Sequence, residues 1–428
     1  MREVTTIKLE KEKSYVLTTP GKLVFLEDCN EKELNDCINE LKQEQEEKKE
    51  NLNNTGNSVS LAVIPTYNCN LRCVYCYANG GRDKNKIDIN IVKKAIDYKK
   101  NSNPNAKILD LYFVGGGEPL LYFDIVKEIT EYAENKFETV IINVVTNGTG
   151  NKNVMDWLVS HEANVRVSFD SINQNEQRPL ANGGLSRDIV IDNIKYLLSK
   201  NTNIMIQCII TSKTVNKMRE IIDEMKNIGV KVIKFEPCLM TDVSRGEISL
   251  QPNPKEYALA LVDAIEYVAN NNIDIMIDTG YFSKPMDGNY CGMAEGNFTI
   301  TPEGMITSCV EVSRKSEPYS NKVMIGKIEE KVNLNNENID FLKNLNFKNQ
   351  IGGCCKCELK FMCLGGCPMA NIWQNGLPLS KSQFTCTVEH IFLPKILTKM
   401  IENDKIINVM CEDPTRIFED SVKSFMEN

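Results

Sequence analysis

Histidine is almost absent from this chain, since only His161 and His390 occur among 428 residues that include 16 cysteines. Zinc sites commonly combine cysteine with histidine, or use four cysteines that lie close together in sequence. Two histidines provide few ligands for histidine-based metal sites. The composition therefore favours iron–sulfur clusters as the use of the cysteines, and clusters favour a habitat low in oxygen.

Long apolar runs and an excess of positive charge are also missing. No run approaches the roughly 20 apolar residues that span a bilayer, and the first five residues lack the apolar core of a signal peptide. We therefore expect a cytoplasmic protein without a membrane partner, in which a disulfide scaffold is not favoured. The net charge of -8 removes any general attraction for nucleic acid.

One cysteine-rich stretch is the strongest feature of the sequence. Residues 69–76 read Cys-Asn-Leu-Arg-Cys-Val-Tyr-Cys and follow the apolar run 61–64. Three thiolates at this spacing can hold three irons of a 4Fe-4S cube and leave the fourth iron without a protein ligand. The alternatives are a structural zinc site or three ordinary thiols, but zinc would require a fourth cysteine or histidine nearby.

This arrangement resembles the signature of the radical S-adenosylmethionine (SAM) superfamily. In that family SAM chelates the open iron, and an electron from the cluster cleaves SAM to a 5′-deoxyadenosyl radical. The resemblance implies that Tyr75, in the aromatic position before the third cysteine, contacts the adenine. It also implies three catalytic residues that hold the cluster: Cys69, Cys73 and Cys76.

Strand and helix patterns alternate from Leu61 to about residue 240. Such repeats predict an α/β fold in which a parallel sheet carries helices on its outside, and right-handed crossovers curl it into a partial (β/α)6 barrel. Barrel enzymes work at the carboxyl ends of their strands, so we expect the site there. The predicted strands are 61–65, 108–114, 139–145, 163–169, 204–210 and 231–236. The predicted helices between them lie near 88–101, 120–136, 152–160, 187–200 and 214–228.

A glycine-rich motif, Gly-Gly-Gly-Glu-Pro at 115–119, directly follows the second predicted strand. Glycines allow the backbone to approach a small ligand closely. A glycine run alone is usually just a turn, but one strand after the cysteine motif it indicates a cofactor site. The resemblance implies that four of these residues contact the amino group of SAM: Gly116, Gly117, Glu118 and Pro119.

Polar residues follow the next two predicted strands. Family members place polar groups at these strand ends to hold the ribose and the carboxylate of SAM, and the resemblance implies that role for Asn147, Ser168 and Asp170. Arg178, in the following loop, either pairs with the SAM carboxylate or lies in solvent.

Cysteines return in the C-terminal part in an order similar to the SPASM extension of radical SAM enzymes. Cys291 and Cys309 lie on either side of Gly304, a Cys-x2-Cys-x5-Cys-x3-Cys motif follows at 354–367, and Cys386 comes after a gap. A zinc ribbon would explain only the first pair of that motif. The resemblance implies two auxiliary 4Fe-4S clusters. The nearer one would use Cys291, Cys309 and Cys367, and the farther one Cys354, Cys357, Cys363 and Cys386.

The nearer auxiliary cluster is one ligand short in this interpretation. Residues 292–300 contain no cysteine, so one iron can remain open, which suits direct binding of a substrate thiolate. The alternative is that Cys355 supplies the fourth ligand.

Five segments are predicted along the chain. Three strand-like runs and a helix in 1–58 resemble a truncated peptide-recognition element, and the alternative is a simple extension packed on the barrel. Residues 51–58 read as a polar linker. The other segments are the barrel (59–240), a bridging helical region (241–284), the SPASM domain (285–390) and a C-terminal helix and tail (391–428).

Radical SAM/SPASM enzymes mostly modify ribosomally made peptides. The resemblance therefore implies a precursor peptide as substrate, with a reduced flavodoxin or ferredoxin-type protein as electron donor. The open iron favours thioether formation between a peptide cysteine sulfur and a carbon. Carbon–carbon cross-linking, formylglycine formation in sulfatases, and a non-catalytic peptide-binding or electron-transfer protein are the alternatives. Sulfatase-maturating relatives tend to carry an acidic residue beside the second cysteine of the extension, where this chain has Val310 after Cys309.

Overall fold

The computed structural model describes residues 4–20, 22–47, 57–239, 246–280, 289–293, 296–345, 353–377 and 380–411. Its strands are β1 (Thr5–Lys8), β2 (Tyr15–Thr19), β3 (Lys22–Leu26), β4 (Ser58–Val63), β5 (Ile108–Phe113), β6 (Thr139–Thr146), β7 (Asn164–Ser168), β8 (Ile204–Ile210), β9 (Val232–Pro237), β10 (Met276–Ile277), β11 (Thr299–Ile300), β12 (Met305–Thr307), β13 (Met324–Ile328) and β14 (Val332–Leu334).

The α-helices of these residues are α1 (Glu31–Glu47), α2 (Ile89–Ser102), α3 (Phe123–Glu134), α4 (Lys152–Ser160), α5 (Gln174–Gln177), α6 (Arg187–Ser199), α7 (Met218–Ile228), α8 (Pro254–Asn270), α9 (Ser320–Val323), α10 (Asn336–Lys343), α11 (Lys360–Cys363), α12 (Pro368–Asn375), α13 (Gln383–Glu402) and α14 (Lys405–Met410). None of the helices in the described ranges is both long enough and apolar enough to cross a membrane.

Eleven strands form the main sheet in the order β10-β9-β8-β7-β6-β5-β4-β11-β12-β13-β14. All pairs from β10 to β11 are parallel, and those from β11 to β14 are antiparallel. Six of the parallel strands, β4 to β9, are the predicted repeats, so the α/β class with a partial barrel is confirmed. β10 adds a seventh parallel strand that the sequence did not reveal.

Local patterns explain why these segments adopt their structures. Alternate residues of β8 are buried, as expected for a strand whose two faces meet different surroundings. Several helices begin at polar caps, for example α2, where the Asp88 side chain accepts a hydrogen bond from the amide of Asn90. Asn151 caps α4 in the same way.

The C-terminal part is joined to the barrel through the sheet itself. Thr299 and Ile300 of β11 pair with Ala62 and Val63 of β4, the strand that leads into the first cysteine motif. The edge of the barrel that would otherwise present unpaired backbone groups is thereby covered. This pairing brings the C-terminal cysteines to the same end of the molecule as the first three.

The N-terminal strands form a separate antiparallel sheet in the order β1-β2-β3. This sheet contacts α13, because the Glu10 amide donates to Thr398 Oγ1 at 3.1 Å and Lys395 Nζ lies 2.6 Å from the Glu10 carboxylate. Three strands followed by one helix agree with the element order expected from the sequence. A peptide-recognition role for this segment stays a prediction.

Element boundaries differ from expectation in three places. β4 begins at Ser58, whereas the predicted linker extended to that residue and its 51–56 part lies outside the described residues. The predicted helix from 120 is a short 3-10 turn, Pro119–Tyr122, followed by α3. The C-terminal helix begins at Gln383, before its expected start near 390, because the Ser382 side chain caps it by accepting from the Thr385 amide.

Candidate active site

The cysteines of the first motif share the loop between β4 and α2: Cys69, Cys73 and Cys76. Each sulfur has a hydrogen-bond donor nearby. The Leu71 amide lies 3.4 Å from Cys69 Sγ, the Gly80 amide 3.2 Å from Cys76 Sγ, and Arg178 Nη1 3.8 Å from Cys73 Sγ. Donors aimed at sulfur favour the thiolate, which is the form that binds iron.

The chemistry of these thiols fits a cluster better than a single metal ion. Burial raises the pKa of Cys69 to about 12, with the charge of Glu118 acting in the same direction, so a bound metal has to displace the proton. In the described part of the chain, no three His, Cys, Asp or Glu side chains converge as one metal ion requires. A 4Fe-4S cube has one ligand at each iron and needs a wider set.

Two loops meet beside the first cysteine motif. The Glu118 amide donates to the Asn68 carbonyl at 2.8 Å, which joins the glycine-rich loop after β5 to the residue before Cys69. A Cβ atom on Gly117 would lie 2.0 Å from the Asn68 oxygen. Gly116 has φ +149°, a backbone conformation that other residues rarely adopt. Glycine is therefore required here by the close approach of two backbones.

Glu118 is a buried carboxylate with a fixed orientation. It accepts hydrogen bonds from the Leu120 amide at 3.1 Å, Thr146 Oγ1 at 2.7 Å and the Asn147 amide at 2.7 Å. Burial raises its pKa to about 6, although these donors act to lower it. The three hydrogen bonds therefore hold an acidic group in one orientation, in which it can pair with a cation.

The other predicted SAM contacts lie at strand ends of the same rim. The Asn147 side chain donates to Asn70 Oδ1 at 2.8 Å and lies 4.0 Å from Cys69 Sγ. Pro119 begins the 3-10 turn after Glu118. Ser168 is the last residue of β7, opposite Gln207 of β8.

Tyr75, Asp170 and Arg178 form a buried cluster behind Cys73. The Asp170 carboxylate accepts from the Tyr75 hydroxyl, from Gln177 Nε2 at 2.8 Å and from the Ile209 amide at 3.0 Å. It also pairs with Arg178 Nε at 3.0 Å. Arg178 is only 6% exposed, so it does not lie in solvent.

This cluster gives Arg178 a defined place beside the cysteine loop. Desolvation opposes its charge, but Asp170 and the other neighbouring acidic groups together raise its pKa above the ordinary value. Its guanidinium lies 5.3 Å from the centre of the Tyr75 ring. The hydrogen bond from Tyr75 and the ion pair with Arg178 therefore hold Asp170, Arg178 and Tyr75 in fixed positions relative to one another.

The C-terminal region also holds the cysteine loop in place. The Tyr67 hydroxyl donates to the Ser313 carbonyl at 2.8 Å, and the Arg314 guanidinium lies 3.7 Å from the centre of the Tyr67 ring. Arg314 further donates to the Ala78 carbonyl at 3.3 Å and pairs with Asp83 at 3.2 Å. Sequence patterns contained no sign of this long-range contact.

The C-terminal cysteines fall into two groups. The first group is Cys354, Cys357, Cys363 and Cys386, which line one cavity of about 30 Å³. The second group is Cys291, Cys309 and Cys367. Burial raises the pKa of Cys367 to about 12, with the charges of Glu311 and Cys291 acting in the same direction, so these groups lie close together.

Cys355 lies next to the first of these groups but does not line its cavity. Its carbonyl accepts a hydrogen bond from Lys360 Nζ at 3.1 Å.

Glu311 and Tyr77 were missed by sequence reasoning. Burial raises the pKa of Tyr77, and Glu311, Cys76 and Cys309 act in the same direction, so this ring lies between the two cysteine regions. Burial, followed by the charge of Glu236, raises the pKa of Glu311 to about 7. An acidic side chain is therefore present near Cys309. It belongs to the second residue after this cysteine, Glu311, whereas the first residue after it is Val310.

Comparisons with known proteins agree with this geometry. The sequence profile of the Radical SAM superfamily matches residues 63–225. An uncharacterised protein, MJ0907 of Methanocaldococcus jannaschii, is 31% identical over 201 residues, which cover 46% of this chain and 68% of that protein. A cysteine-type anaerobic sulfatase-maturating enzyme of Clostridium novyi is 24% identical over 72% of this chain and 88% of its own.

Two solved structures share the fold. Native anSMEcpe with bound AdoMet and Kp18Cys peptide superposes with a TM-score of 0.67 at 19% identity, over 81% of this chain and 98% of that one. Streptococcus suis SuiB bound to precursor peptide SuiA has a TM-score of 0.57 at 15% identity, over 85% and 84% of the two chains.

Proposed function

Because this chain belongs to the radical SAM superfamily, we propose that it is a peptide maturase that joins a cysteine sulfur of a precursor peptide to a carbon of the same peptide. It is an enzyme whose family cofactors are SAM and a 4Fe-4S cluster. The observation that carries the proposal is the ligand set of the nearer auxiliary site. That site has three cysteines and a cysteine-free stretch at 292–300, where a fourth ligand is expected.

The residues around the first motif would hold the cluster and SAM. Cys69, Cys73 and Cys76 provide three sulfur ligands, and the close packing of Gly116 and Gly117 against residues 64–68 would hold the glycine-rich loop beside them. The buried Glu118 carboxylate is suited to the ammonium group of SAM. Asn147, Ser168, Asp170 and Arg178 remain our candidates for its ribose and carboxylate.

The peptide would bind between the two cysteine regions, close to Tyr77 and Glu311. When bound, SAM and the first cluster supply a radical that takes a hydrogen atom from the target carbon, a step that requires close positioning. Thioether formation also releases the thiol proton and one electron, for which the auxiliary clusters are suitable acceptors. Each bond therefore removes two hydrogens from the peptide, and a flavodoxin or ferredoxin-type donor would supply the electron that cleaves SAM.

Two proteins of similar fold have structures with bound peptides, which supports a peptide as the substrate. SuiB is bound to precursor peptide SuiA, and anSMEcpe to a Kp18Cys peptide. The three-stranded sheet β1-β2-β3 is our candidate for recognising a leader segment. The farther cysteine group would hold a second auxiliary cluster, because four cysteines line one small cavity there.

Glu118→Gln is expected to weaken SAM binding by about 10- to 100-fold, the range for losing a hydrogen bond to a charged group. The new amide nitrogen would also face a backbone N–H donor, that of Leu120 or that of Asn147, depending on which carboxylate oxygen it replaces. Since burial raises the Glu118 pKa to about 6, the parent should lose SAM affinity as pH falls through that value, and the variant should not.

Anaerobic equilibrium binding of SAM to the iron-loaded proteins measures this effect. Glu128→Gln is the matched control, because Glu128 is surface-exposed and pairs only with Lys93 at 2.7 Å among the described residues. Equal SAM affinity of Glu118→Gln and parent, at equal iron content, would remove Glu118 from the SAM site.

The proposed reaction is tested by the intact mass of a cysteine-containing peptide encoded beside the gene. The peptide is incubated without oxygen with iron-loaded enzyme, SAM and reductant, and then treated with a thiol-alkylating reagent. Loss of two hydrogens per bond, with the same number of cysteines protected from alkylation under reducing conditions, is the expected result. The same mass loss with every cysteine alkylated would contradict thioether formation and indicate a carbon–carbon bond.

Formylglycine formation is the second candidate, and Glu311 is the observation that favours it. Its carboxylate lies beside Cys309 and Cys367, at the site where an acidic group was expected for that activity. The 24% identical relative in Clostridium novyi carries the name of that enzyme class. Capture of an aldehyde by a hydrazine reagent on a cysteine peptide would support this candidate, and intact cysteine after SAM cleavage would count against it.

A further inference from the structure

Helix α13 carries two residues of the farther auxiliary site. Cys386 and His390 are four positions apart, so they lie one turn apart on the same face. Both line the cavity of about 30 Å³ that also contains Cys354, Cys357 and Cys363. The Ser382 cap fixes where the helix begins, four positions before Cys386.

The imidazole of His390 is close to one sulfur of this site. His390 Nε2 lies 3.7 Å from Cys357 Sγ, within hydrogen-bond range for sulfur. A cysteine bound to iron is a thiolate, which can only accept a hydrogen bond. The imidazole must therefore donate from Nε2 once the cluster is in place.

His390 is not needed as an iron ligand. The cavity already offers four cysteines, one for each iron of a 4Fe-4S cube. A fifth nearby side chain that can donate a hydrogen bond is more suited to tuning the electron density on a ligand sulfur than to replacing that ligand. Lys381, another cavity residue, adds positive charge that lowers the pKa of Cys354 and Cys357, although burial raises both more strongly.

We propose that His390 is a positioning residue that donates a hydrogen bond from Nε2 to the Cys357 sulfur and raises the reduction potential of the farther auxiliary cluster. The donor withdraws electron density from the sulfur and so stabilises the reduced cluster. This inference rests on the proposed function, because it requires that the four cysteines hold a cluster. Its consequence is a cluster that accepts an electron more readily than the same four cysteines alone would allow.

The test is an anaerobic potentiometric titration of the iron-loaded enzyme, followed by electron paramagnetic resonance. The signal of the farther cluster is identified as the one lost in Cys363→Ala. His390→Phe removes one hydrogen bond to the Cys357 sulfur. We expect this loss to lower the equilibrium constant for reduction of the cluster about tenfold at a given potential. His390→Gln keeps an N–H donor and should titrate closer to the parent. Iron and sulfide content should not change.

His161→Phe is the control, because the other histidine ends α4 and stacks on Trp157 at 4.3 Å between ring centroids. It should leave the potential unchanged. Equal midpoints in His390→Phe and parent would overturn the proposal, and so would loss of iron in His390→Phe, which would make His390 a ligand. If Cys363→Ala loses no signal, the farther cluster itself is absent, and the cofactor content of the proposed function is wrong as well.

Discussion

Gly117→Ala is expected to lower SAM cleavage at least about 100-fold and to reduce iron loading. The added Cβ would lie 2.0 Å from the Asn68 carbonyl oxygen, and its three nearest atoms all belong to the backbone of Tyr67 and Asn68, so no flexible side chain can move aside. Relief of this clash requires a shift of about 1 Å beside Cys69, and misplacements of that size typically cost two orders of magnitude in rate. The measurement is 5′-deoxyadenosine released from SAM under reductant, normalised to iron content.

Gly115→Ala is the matched control in the same loop. A Cβ there would meet its nearest atoms, in Tyr77 and in the Gly117 backbone, at 3.6 and 3.7 Å, which is ordinary contact. We expect this variant to keep iron loading and SAM cleavage within a few-fold of the parent. Parent-like activity in Gly117→Ala would show that the contact between the two loops is not required.

Asp170→Asn is expected to destabilise the protein by about 3–5 kcal/mol, the range for breaking a buried ion pair by removing one partner. Arg178 is 6% exposed and would keep its charge without a counter-ion. The donors from Gln177 and Ile209 would also lose their charged acceptor. Anaerobic denaturant unfolding of parent and variant, compared at equal iron content, measures the change.

Two further variants separate the ion pair from general disruption. Asp170→Asn/Arg178→Met removes both charges and should recover part of the lost stability, because no buried charge is left unpaired. Asp156→Asn breaks the exposed pair with Lys152 and should change little. A double variant less stable than Asp170→Asn alone would contradict the ion-pair explanation.

The rate of SAM cleavage in the same variants separates a second role of Arg178 from its role in stability. Arg178 lies 3.8 Å from Cys73 Sγ, so its loss removes a donor from a cluster ligand. The double variant should therefore regain stability without regaining the parent rate of SAM cleavage. Stability and activity thus report two separate roles of the same side chain.

Most elements of the barrel were predictable because their causes are local. Buried positions alternate in β8, and polar caps such as Asn151 mark helix starts within a few residues. The first three cysteines and the glycine-rich loop were recognisable for the same reason, since each lies within a short stretch. The start of α13 at Gln383 was not predicted, because the prediction followed the apolar pattern from about residue 390 and the Ser382 cap lies before that pattern.

The partners of the site residues were not predictable. Asp170 was expected at the cofactor site from its position after β7, but two of its hydrogen-bond donors, Gln177 and Ile209, lie 7 and 39 positions away. Glu311 was not predicted, because the family resemblance concerns only the position directly after Cys309, which holds Val310. The pairing of His390 with Cys357 joins residues 33 positions apart.

The sequence by itself determined the fold class, the helices and strands of the barrel, and the first cysteine motif, because periodicity and motif spacing are properties of short stretches. Only the tertiary structure decided which groups face one another. The parallel pairing of β11 with β4 brings the C-terminal cysteines to the first cysteine loop. Arg314 then packs on Tyr67. Such contacts depend on the packing of distant segments, which no local pattern specifies.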